Sequence, residues 1–371
     1  MDKITRKTSF GQWFSPINLS LFEKHVKTMK LDHYTKKFTT DSFLKLLLFG
    51  QLHETESLHA LSDCLFDDQL QDEIQLDSIS VSQLSRRING INPDVFQQLF
   101  LDLVIQIHQK TNYSKIVMPL KILDSSTLPL NLTNHKWAKF RKTKAGVKLH
   151  LRLVFMEKGV SYPEKAVLTN AKEHDRGQLE IMVDDKECMY VFDRGYLDYE
   201  RFDRMTDDGY FFLSRLRKNA VIREIYDFKI PEGSSVLSDQ MVLIGTTQNR
   251  AENFFRLLKV VDSKGNMLHL LTNRFDLEPE EISDMYKSRW AIELFFKWIK
   301  QHLHIKKFYG QSEWAVHNQI FIALIVYCLH VLAQLKTESK RKILQISRYL
   351  RAALWKPAHI WIRKIEGKVV P

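Results

Sequence analysis

Apolar residues recur at three- and four-residue spacing through about the first 110 residues, and Asn, Gly, Asp and Pro separate the repeats. This periodicity predicts a series of amphipathic helices. One segment of the region, SISVSQLSRRINGINPDVF at residues 78–96, has two interpretations. It is either a helix-turn-helix in which Ser80 or Ser82 caps a recognition helix and Arg86 and Arg87 face a nucleic acid, or a capped surface helix with two solvated arginines.

The pattern changes near residue 115 to short runs rich in β-branched and aromatic residues. Their order is strand, strand, strand, helix, strand, helix, strand, which favours a mixed α/β sheet with helices on both faces. Residues 216–273 then return to strand-like alternation, with a hairpin turn at residues 263–266. We expect this β-rich segment to be an insertion that interrupts the α/β core.

The rest of the chain is predicted to be helical. Its longest apolar stretch, residues 320–333, is shorter than the roughly 18–20 residues that a membrane span needs, so we predict a buried core helix and no membrane partner. The pattern thus predicts three parts: a helical domain at residues 1–112, in which the helix-turn-helix interpretation would place DNA binding, an α/β domain at 113–335 and a basic C-terminal tail at 336–371.

The charge balance narrows the class of partner. The 371 residues include 55 Lys and Arg against 44 Asp and Glu, which gives a net charge of +11. This excess favours a polyanion, with nucleic acid first and an anionic membrane second. The three cysteines lie far apart in the sequence, and the first residues lack the apolar run of a signal peptide, so we expect a cytoplasmic protein.

Two stretches concentrate the positive charge. One carries seven basic residues and no acid, and the other, residues 336–368, carries ten basic residues against Glu338 and Glu366. Such one-sided runs are interpreted as tracks for phosphates, with Lys142 and Lys144 as DNA contacts. The residues of the first stretch are Lys136, Lys139, Arg141, Lys142, Lys144, Lys148 and Arg152.

The segment YKSRWAIELFFKWIKQ, residues 286–301, has an unusual polar pattern for a helix. Its polar residues share less than about a third of the helix circumference, and large apolar residues fill the remainder. These polar residues, together with Trp290, are Tyr286, Arg289, Glu293, Lys297 and Lys300. A salt-bridged surface helix is one interpretation, and a polar strip that faces a cleft is the other.

Two aspartates favour the second interpretation, in which the polar strip faces a cleft. Asp124 interrupts the apolar run KILDSST, and Asp193 follows the strand MYVF. Carboxylates at strand ends of an α/β sheet lie where ligands bind, although an isolated Asp is more often a cap. Together with Glu293 they would repel one another unless divalent cations neutralised them, and oxygen ligands favour Mg²⁺ or Mn²⁺.

The residues of this strip and the two aspartates resemble the motifs of a known protein family. Tyr286, Arg289, Glu293 and Lys300 have the spacing of the Tyr-Arg-Glu-Lys signature of the DDE transposases in the insertion sequence four family. DSST at 124–127 resembles the first Asp motif of that family, and DRGY at 193–196 resembles the second. Residues 302–320 also resemble the family's continuation, so the likeness covers roughly residues 115–335.

The resemblance implies an RNase H-like catalytic domain in which Asp124, Asp193 and Glu293 are catalytic and hold two Mg²⁺ ions, with Mn²⁺ as a substitute. It implies a bacterial, Mg²⁺-dependent endonuclease and strand transferase. The expected partners are the double-stranded DNA of terminal inverted repeats and of the target, and a second copy of the chain in a homodimer. The insertion at 216–273 would help to form a DNA hairpin.

The same resemblance implies that Tyr286, Arg289 and Lys300 contact terminal phosphates. Lys297 lies on the same strip and is expected to bind DNA as well. Trp290 either stacks on a displaced base or simply packs.

Two other functions remain open from the sequence. A catalytically silent DNA-binding descendant would need no set of three carboxylates in one cleft. A stand-alone RNase H-like nuclease would cleave without joining strands, and it would give no reason for the Tyr, Arg and Lys beside the glutamate.

Overall fold

The computed structural model describes residues 7–111, 113, 118–157, 160–302 and 308–367. The chain divides into two compact units, each assembled from separate segments. The first unit consists of residues 1–114, 128–147 and 297–371, and the second of residues 115–127 and 148–296.

The first unit is mainly helical, as its periodicity predicts. Its helices up to residue 110 are short except for the last, and they have the following bounds: α1 Ser9–Phe14, α2 Leu19–Thr28, α3 Thr40–Leu52, α4 Leu58–Asp63, α5 Asp68–Ile74, α6 Val81–Gly90 and α7 Asp94–Lys110.

Hydroxyl and carboxamide side chains fix where several of these helices begin. The side chains of Thr8, Asn18, Thr39 and Ser57 each accept a hydrogen bond from the first turn of the helix that follows. Such caps satisfy amide groups that would otherwise lack a partner. Of the two caps proposed for α6, Ser80 is the one that forms, as part of a capping box with Gln83.

The central helix of this unit is α12, Glu313–Lys336, which contains the long apolar stretch. It is long and apolar enough to cross a membrane, but 94% of its most apolar window is buried inside the protein. It packs mainly against α7, and also against α3 and α6. The prediction of a core helix is therefore confirmed.

The region expected as a basic tail is folded. It forms α13, Ile343–Ala352, and α14, Ala358–Glu366. Ile346, Leu350 and Trp361 are buried, because both helices are amphipathic. The α14 helix packs against α1, and the backbones of Thr8 and Pro357 form an isolated β-bridge.

The second unit contains most of a mixed sheet of eleven strands. Their bounds are β1 Leu120–Leu130, β2 Lys139–Arg141, β3 Lys144–Glu157, β4 Val160–Asn170, β5 Met189–Phe192, β6 Phe211–Arg215, β7 Ile222–Asp227, β8 Val236–Thr246, β9 Asn249–Arg250, β10 Phe255–Val261 and β11 Met267–Thr272. Two further helices are α8 Leu179–Met182 and α9 Tyr199–Asp207.

The order of the main path is β2-β3-β1-β5-β6-β11-β10-β8-β7, with β4 on β3 and β9 on β8. The pairs β1–β5 and β5–β6 are parallel, whereas β6–β11, β11–β10, β10–β8 and β8–β7 are antiparallel. The order of elements to β6 agrees with the sequence, apart from the short added strand β2.

The β-rich segment extends the sheet rather than interrupting it. Its last strand, β11, pairs directly with β6, with Leu271 opposite Ser214. The Thr272 hydroxyl donates to the carbonyl of Phe212 at 2.6 Å, and the Asn273 side chain accepts from the Phe212 amide at 3.0 Å. The strands after residue 216 thereby satisfy the open edge of β6, which would otherwise present unpaired backbone groups.

The core of the second unit is aromatic. Phe202 on α9 stacks on Phe212 of β6 with ring centroids 4.4 Å apart, and Phe192 and Phe255 close the cluster. All four side chains are fully buried. This packing holds β5 rigidly, and the residue after β5 is Asp193.

The burial of His330 on α12 makes the folding of the first unit sensitive to acid. The ring Nδ1 accepts from Trp13 Nε1 at 3.1 Å, and burial lowers the pKa of His330 to about 3. As the pH is lowered from 6 to 4, the unfolded chain gains a proton that the folded chain does not. The free energy of unfolding therefore decreases over this range. His330→Gln keeps an acceptor and should reduce the slope of unfolding free energy by up to about 1.4 kcal/mol per pH unit.

Urea unfolding at several pH values measures this slope. The exposed His59→Gln serves as the control in the same unit. An unchanged slope in His330→Gln would contradict the assignment.

Candidate active site

Two aspartates of the candidate site lie side by side on parallel strands. The paired part of β1 and β5 ends with Leu123 opposite Phe192. Asp124 and Asp193 follow these two residues directly. Asp124 lies within β1 and not at the end of that strand, but the pairing of β1 with β5 ends just before it. The two carboxylates therefore share one edge of the parallel region.

Backbone amides orient both carboxylates. The Ser125 amide donates to Asp124 Oδ1 at 2.7 Å, and the Gly195 amide donates to Asp193 Oδ1 at 2.7 Å. A Cβ atom at Gly195 would lie only 2.9 Å from Asp193 Oδ1. Glycine at this position therefore leaves space for the carboxylate that its own amide holds.

The third acid is carried by helices that are not continuous. The segment expected as one helix is divided into α10, Pro279–Ser288, and α11, Trp290–His302, with Arg289 as the turn residue between them. Around the junction, hydrogen bonds span three residues, from the Arg289 amide to the carbonyl of Tyr286 and from the Ile292 amide to that of Arg289. The expectation of an unbroken helix is thus corrected.

Arg289 links the acids. Its guanidinium forms an ion pair with Glu293, in the first turn of α11, and its Nη1 lies 3.5 Å from Asp124 Oδ2. Only 17% of the Arg289 side chain is exposed. Tyr286 is buried, and its ring centroid lies 5.9 Å from the guanidinium carbon. The signature residues Tyr286, Arg289 and Glu293 therefore meet Asp124 in one place.

The electrostatics of the site favour a bound cation. Burial raises the pKa of Asp124 to about 7, the charges of Asp193 and Glu293 add to the rise, and the Ser125 amide and Arg289 oppose it. Burial alone would lower the pKa of Arg289, but Tyr286, Glu293 and Asp124 raise it. Near neutral pH the ionised form of Asp124 is thus disfavoured until more positive charge arrives.

The donor set fits a hard divalent cation, because its three side chains supply only carboxylate oxygens. Within the described part of the chain, however, no three acidic, His or Cys side chains are grouped closely enough to form a ready metal site. Arg289 lies against Asp124 and Glu293 instead. A cation bound here would oppose the rise in the pKa of Asp124 that burial causes.

Asp175 joins the site although the sequence analysis did not select it. It begins a 3₁₀ turn at Asp175–Gln178, and its Oδ1 accepts from the Ser125 hydroxyl at 2.6 Å. Lys148 Nζ lies 3.3 Å from the same oxygen. In the sequence Asp175 stands in residues 174–185, which were predicted as a helix between two strands, and nothing there showed that this segment returns to Ser125.

The remaining predicted residues lie elsewhere on these elements. Trp290 is 58% exposed. Lys297 and Lys300 follow Glu293 by four and seven residues on α11, and both belong to the first unit. Lys142 and Lys144 are exposed at the tip of the β2–β3 hairpin, in the same unit. Residues 303–307 of the family-like continuation lie outside the described residues.

Three arginines and lysines expected at DNA have internal partners. Arg152 is buried and pairs with Glu164 and Asp184, and Lys148 pairs with Asp175. Arg87 pairs with Asp32 in the first unit. The runs of basic residues could not reveal this, because the acids that neutralise them come from other strands and loops.

Comparisons with known proteins identify the family of the chain. The profile of the transposase DDE domain family matches residues 117–329. This chain is a DDE transposase. It is 28% identical over 298 residues to a probable transposase for insertion sequence element IS5377 of Geobacillus stearothermophilus, covering 80% of this chain and 76% of the relative. It is 30% identical over 240 residues to a protein named as a transposase, y4zB, of Sinorhizobium fredii, covering 63% and 66%.

Two further likenesses are weaker. Residues 5–72 of the transposase match a family described only as a domain of unknown function. A solved piggyBac transposase synaptic complex with hairpin DNA has a TM-score of 0.48 and 11% identity, covering 98% of this chain and 83% of that one. The resemblance to transposases of the insertion sequence four type is confirmed by the family profile and the relatives.

Asp175 offers a test of how the transposase site is positioned. Asp175→Asn weakens the hydrogen bond from the Ser125 hydroxyl and removes the charged partner of Lys148, so Asp124 should be less well oriented. We expect roughly tenfold slower DNA cleavage, because small misplacements of reacting groups lower rates strongly. Unfolding free energy should fall by only about 1 kcal/mol.

Single-turnover cleavage and urea unfolding measure the two effects. The exposed Asp208→Asn in the same unit is the matched control. Equal cleavage rates in Asp175→Asn and Asp208→Asn would remove Asp175 from the positioning network.

Proposed function

We propose that this transposase excises an insertion sequence at its terminal inverted repeats and joins the 3′ ends to target DNA in a metal-dependent reaction. The observation that carries the proposal is the approach of Asp124, Asp193 and Glu293 at one edge of the parallel strands, with Arg289 among them. Parallel β1, β5 and β6 also support an RNase H-like domain.

Asp124, Asp193 and Glu293 would hold two Mg²⁺ ions, with Mn²⁺ as a substitute. When bound, such ions supply activation of water or a 3′-hydroxyl and stabilisation of the leaving oxygen in phosphoryl transfer. The amides of Ser125 and Gly195 keep the two aspartates oriented for this task. Preorganised ligands of this kind avoid reorganisation during the reaction.

Arg289 would exchange its partners. Without DNA its guanidinium neutralises Glu293 and approaches Asp124. In the proposed complex with DNA, the guanidinium would turn to a terminal phosphate, which it can bind in a bidentate manner. Tyr286 and Lys300 would contact phosphates beside it, and Trp290 would stack on a displaced base.

The wider reaction follows the family expectation. The two transposon ends would be paired by a homodimer, and a hairpin intermediate would form during excision. Lys142, Lys144 and Lys297 would contact the DNA backbone without reading its sequence. We place the reaction in the bacterial cytoplasm, where the chromosomal target lies.

Glu293→Gln tests the catalytic assignment. The amide keeps the shape of the side chain but removes the charge, so end cleavage should fall by at least about 100-fold while end binding changes less than about threefold. Cleavage and strand joining of labelled end DNA with Mg²⁺ measure the first quantity, and fluorescence anisotropy measures the second.

The exposed Glu187→Gln is the control for this variant. Parallel loss of binding and cleavage would show that Glu293 is structural. Wild-type protein that binds but never nicks would instead favour a silent DNA-binding descendant, and nicking without joining would favour a nuclease.

Metal binding can be measured without activity. At a concentration of Mg²⁺ about 100 times its dissociation constant, the wild-type protein should gain about 2.7 kcal/mol of stability. This corresponds to a rise of several degrees in the midpoint of thermal unfolding. Asp124→Asn with Asp193→Asn should abolish the rise, and Asp208→Asn should keep it. A rise of equal size in the double variant would refute the proposed ligands.

A further inference from the structure

Basic side chains line a groove in the first unit, and no acidic side chain is among the residues that line it. It lies between the loop that joins α2 to α3 and the exposed side of α6, and its volume is about 650 Å³. Tyr34, Lys36 and Lys37 line it from the loop, and Gln83 and Arg86 line it from α6. The Tyr34 side chain is 91% exposed. We call these five residues the loop–α6 surface.

The loop is fixed in place by Arg87, the neighbour of Arg86 that points inward. Its Nη1 donates to the carbonyl of Leu31 at 3.0 Å, and its Nη2 pairs with Asp32 and donates to the Thr40 hydroxyl at 2.6 Å. Asp32 in turn accepts from the Thr40 amide at 2.9 Å. Arg87 thus fastens both ends of the loop to α6, so the lysines are presented in a set position.

Phe38 anchors the loop at a second point. Its ring packs edge-on against Phe43 of α3, with centroids 5.5 Å apart. A loop held at both ends gives up less backbone freedom when it binds a ligand. The exposed residues of the surface are therefore preorganised.

The cations of this surface have no acidic partner. In the described chain, no carboxylate lies within ion-pairing distance of Lys36, Lys37 or Arg86. The neighbouring hollow, which Lys36 and Lys37 also line, differs because Asp41 and Glu73 line it too. Those two acids share one cation, Lys45, whose Nζ lies 3.3 and 3.4 Å from them. The exposed Asp77 also belongs to that hollow and not to the groove.

We propose that the loop–α6 surface binds the phosphate backbone of the double-stranded DNA at the transposon end. Three cations, with a phenol hydroxyl and a carboxamide in the same groove, supply the kinds of group that bind phosphate oxygens. The proposal rests on the transposase function proposed above. It assigns DNA binding to a loop within residues 5–72, a region matched only to a domain of unknown function. Of the two arginines on α6 that were expected to face a nucleic acid, Arg86 would contact the DNA and Arg87 would not.

Binding of end DNA by the full-length protein tests this surface. Lys36→Gln/Lys37→Gln/Arg86→Gln should weaken binding at least tenfold at about 0.1 M salt. The slope of log Kd against log salt should become shallower by about one unit for each phosphate that the variant no longer binds. Fluorescence anisotropy with labelled duplex over a salt series measures both quantities.

The matched control removes the same charge elsewhere. Lys24→Gln/Lys27→Gln/Lys110→Gln changes three exposed lysines of the first unit outside the groove. It should keep the wild-type slope to within half a unit. If the two triple variants bind DNA equally weakly, net charge alone explains binding and the surface is not the site. Wild-type protein that binds no end DNA would overturn the proposed function itself.

Two further measurements separate the surface from other causes. A photocrosslinker at position 34 should label duplex DNA, whereas one at position 27 should not, and label only at position 27 would contradict the proposal. Vesicles rich in anionic phospholipid provide the alternative polyanion. Vesicle binding as strong as DNA binding, and equally weakened in the groove variant, would assign the surface to a membrane instead.

Discussion

The approach of several carboxylates at one edge of the sheet is possible only if positive charge lies among them. Asp124 and Asp193 are placed side by side by the register of β1 and β5, and Glu293 is brought near by α11. In the absence of metal, the Arg289 guanidinium supplies this charge. The break between α10 and α11 serves the same need, because it puts Arg289 at the turn between the helices rather than on a regular helical face.

The sequence identified the three acids because each stands in a strong local pattern. Asp124 and Asp193 interrupt or end apolar runs, and Glu293 lies on a helix with few polar positions. The helix break was not predictable, since Ser288, Arg289 and Trp290 all tolerate a helix and the break depends on tertiary contacts. Asp175 was missed for a related reason. Its role depends on a loop that returns to Ser125 across 50 residues of chain.

The fold was predicted best where the periodicity was strongest. The helices of the first unit, the strands to β6 and the core helix α12 agree with the sequence. Periodicity could show that residues 216–273 are strands, but it could not show which edge they join. The basic runs were ambiguous because the sequence does not show which other segments will lie beside them. Arg87, Lys148 and Arg152 differ from exposed neighbours only in the acids that other segments bring to them.

The helical unit is built from both halves of the chain, and this has a consequence for its synthesis. The α7 helix, with Phe96, Phe100 and Leu103 buried, packs on α12, a helix made more than 200 residues later. On the ribosome, the N-terminal helices must wait for the last part of the chain before their core can close. A product that stops after Glu293 would leave these apolar faces open to chaperones and proteases. Truncated chains should therefore be cleared rather than persist as free DNA-binding competitors of the full-length transposase.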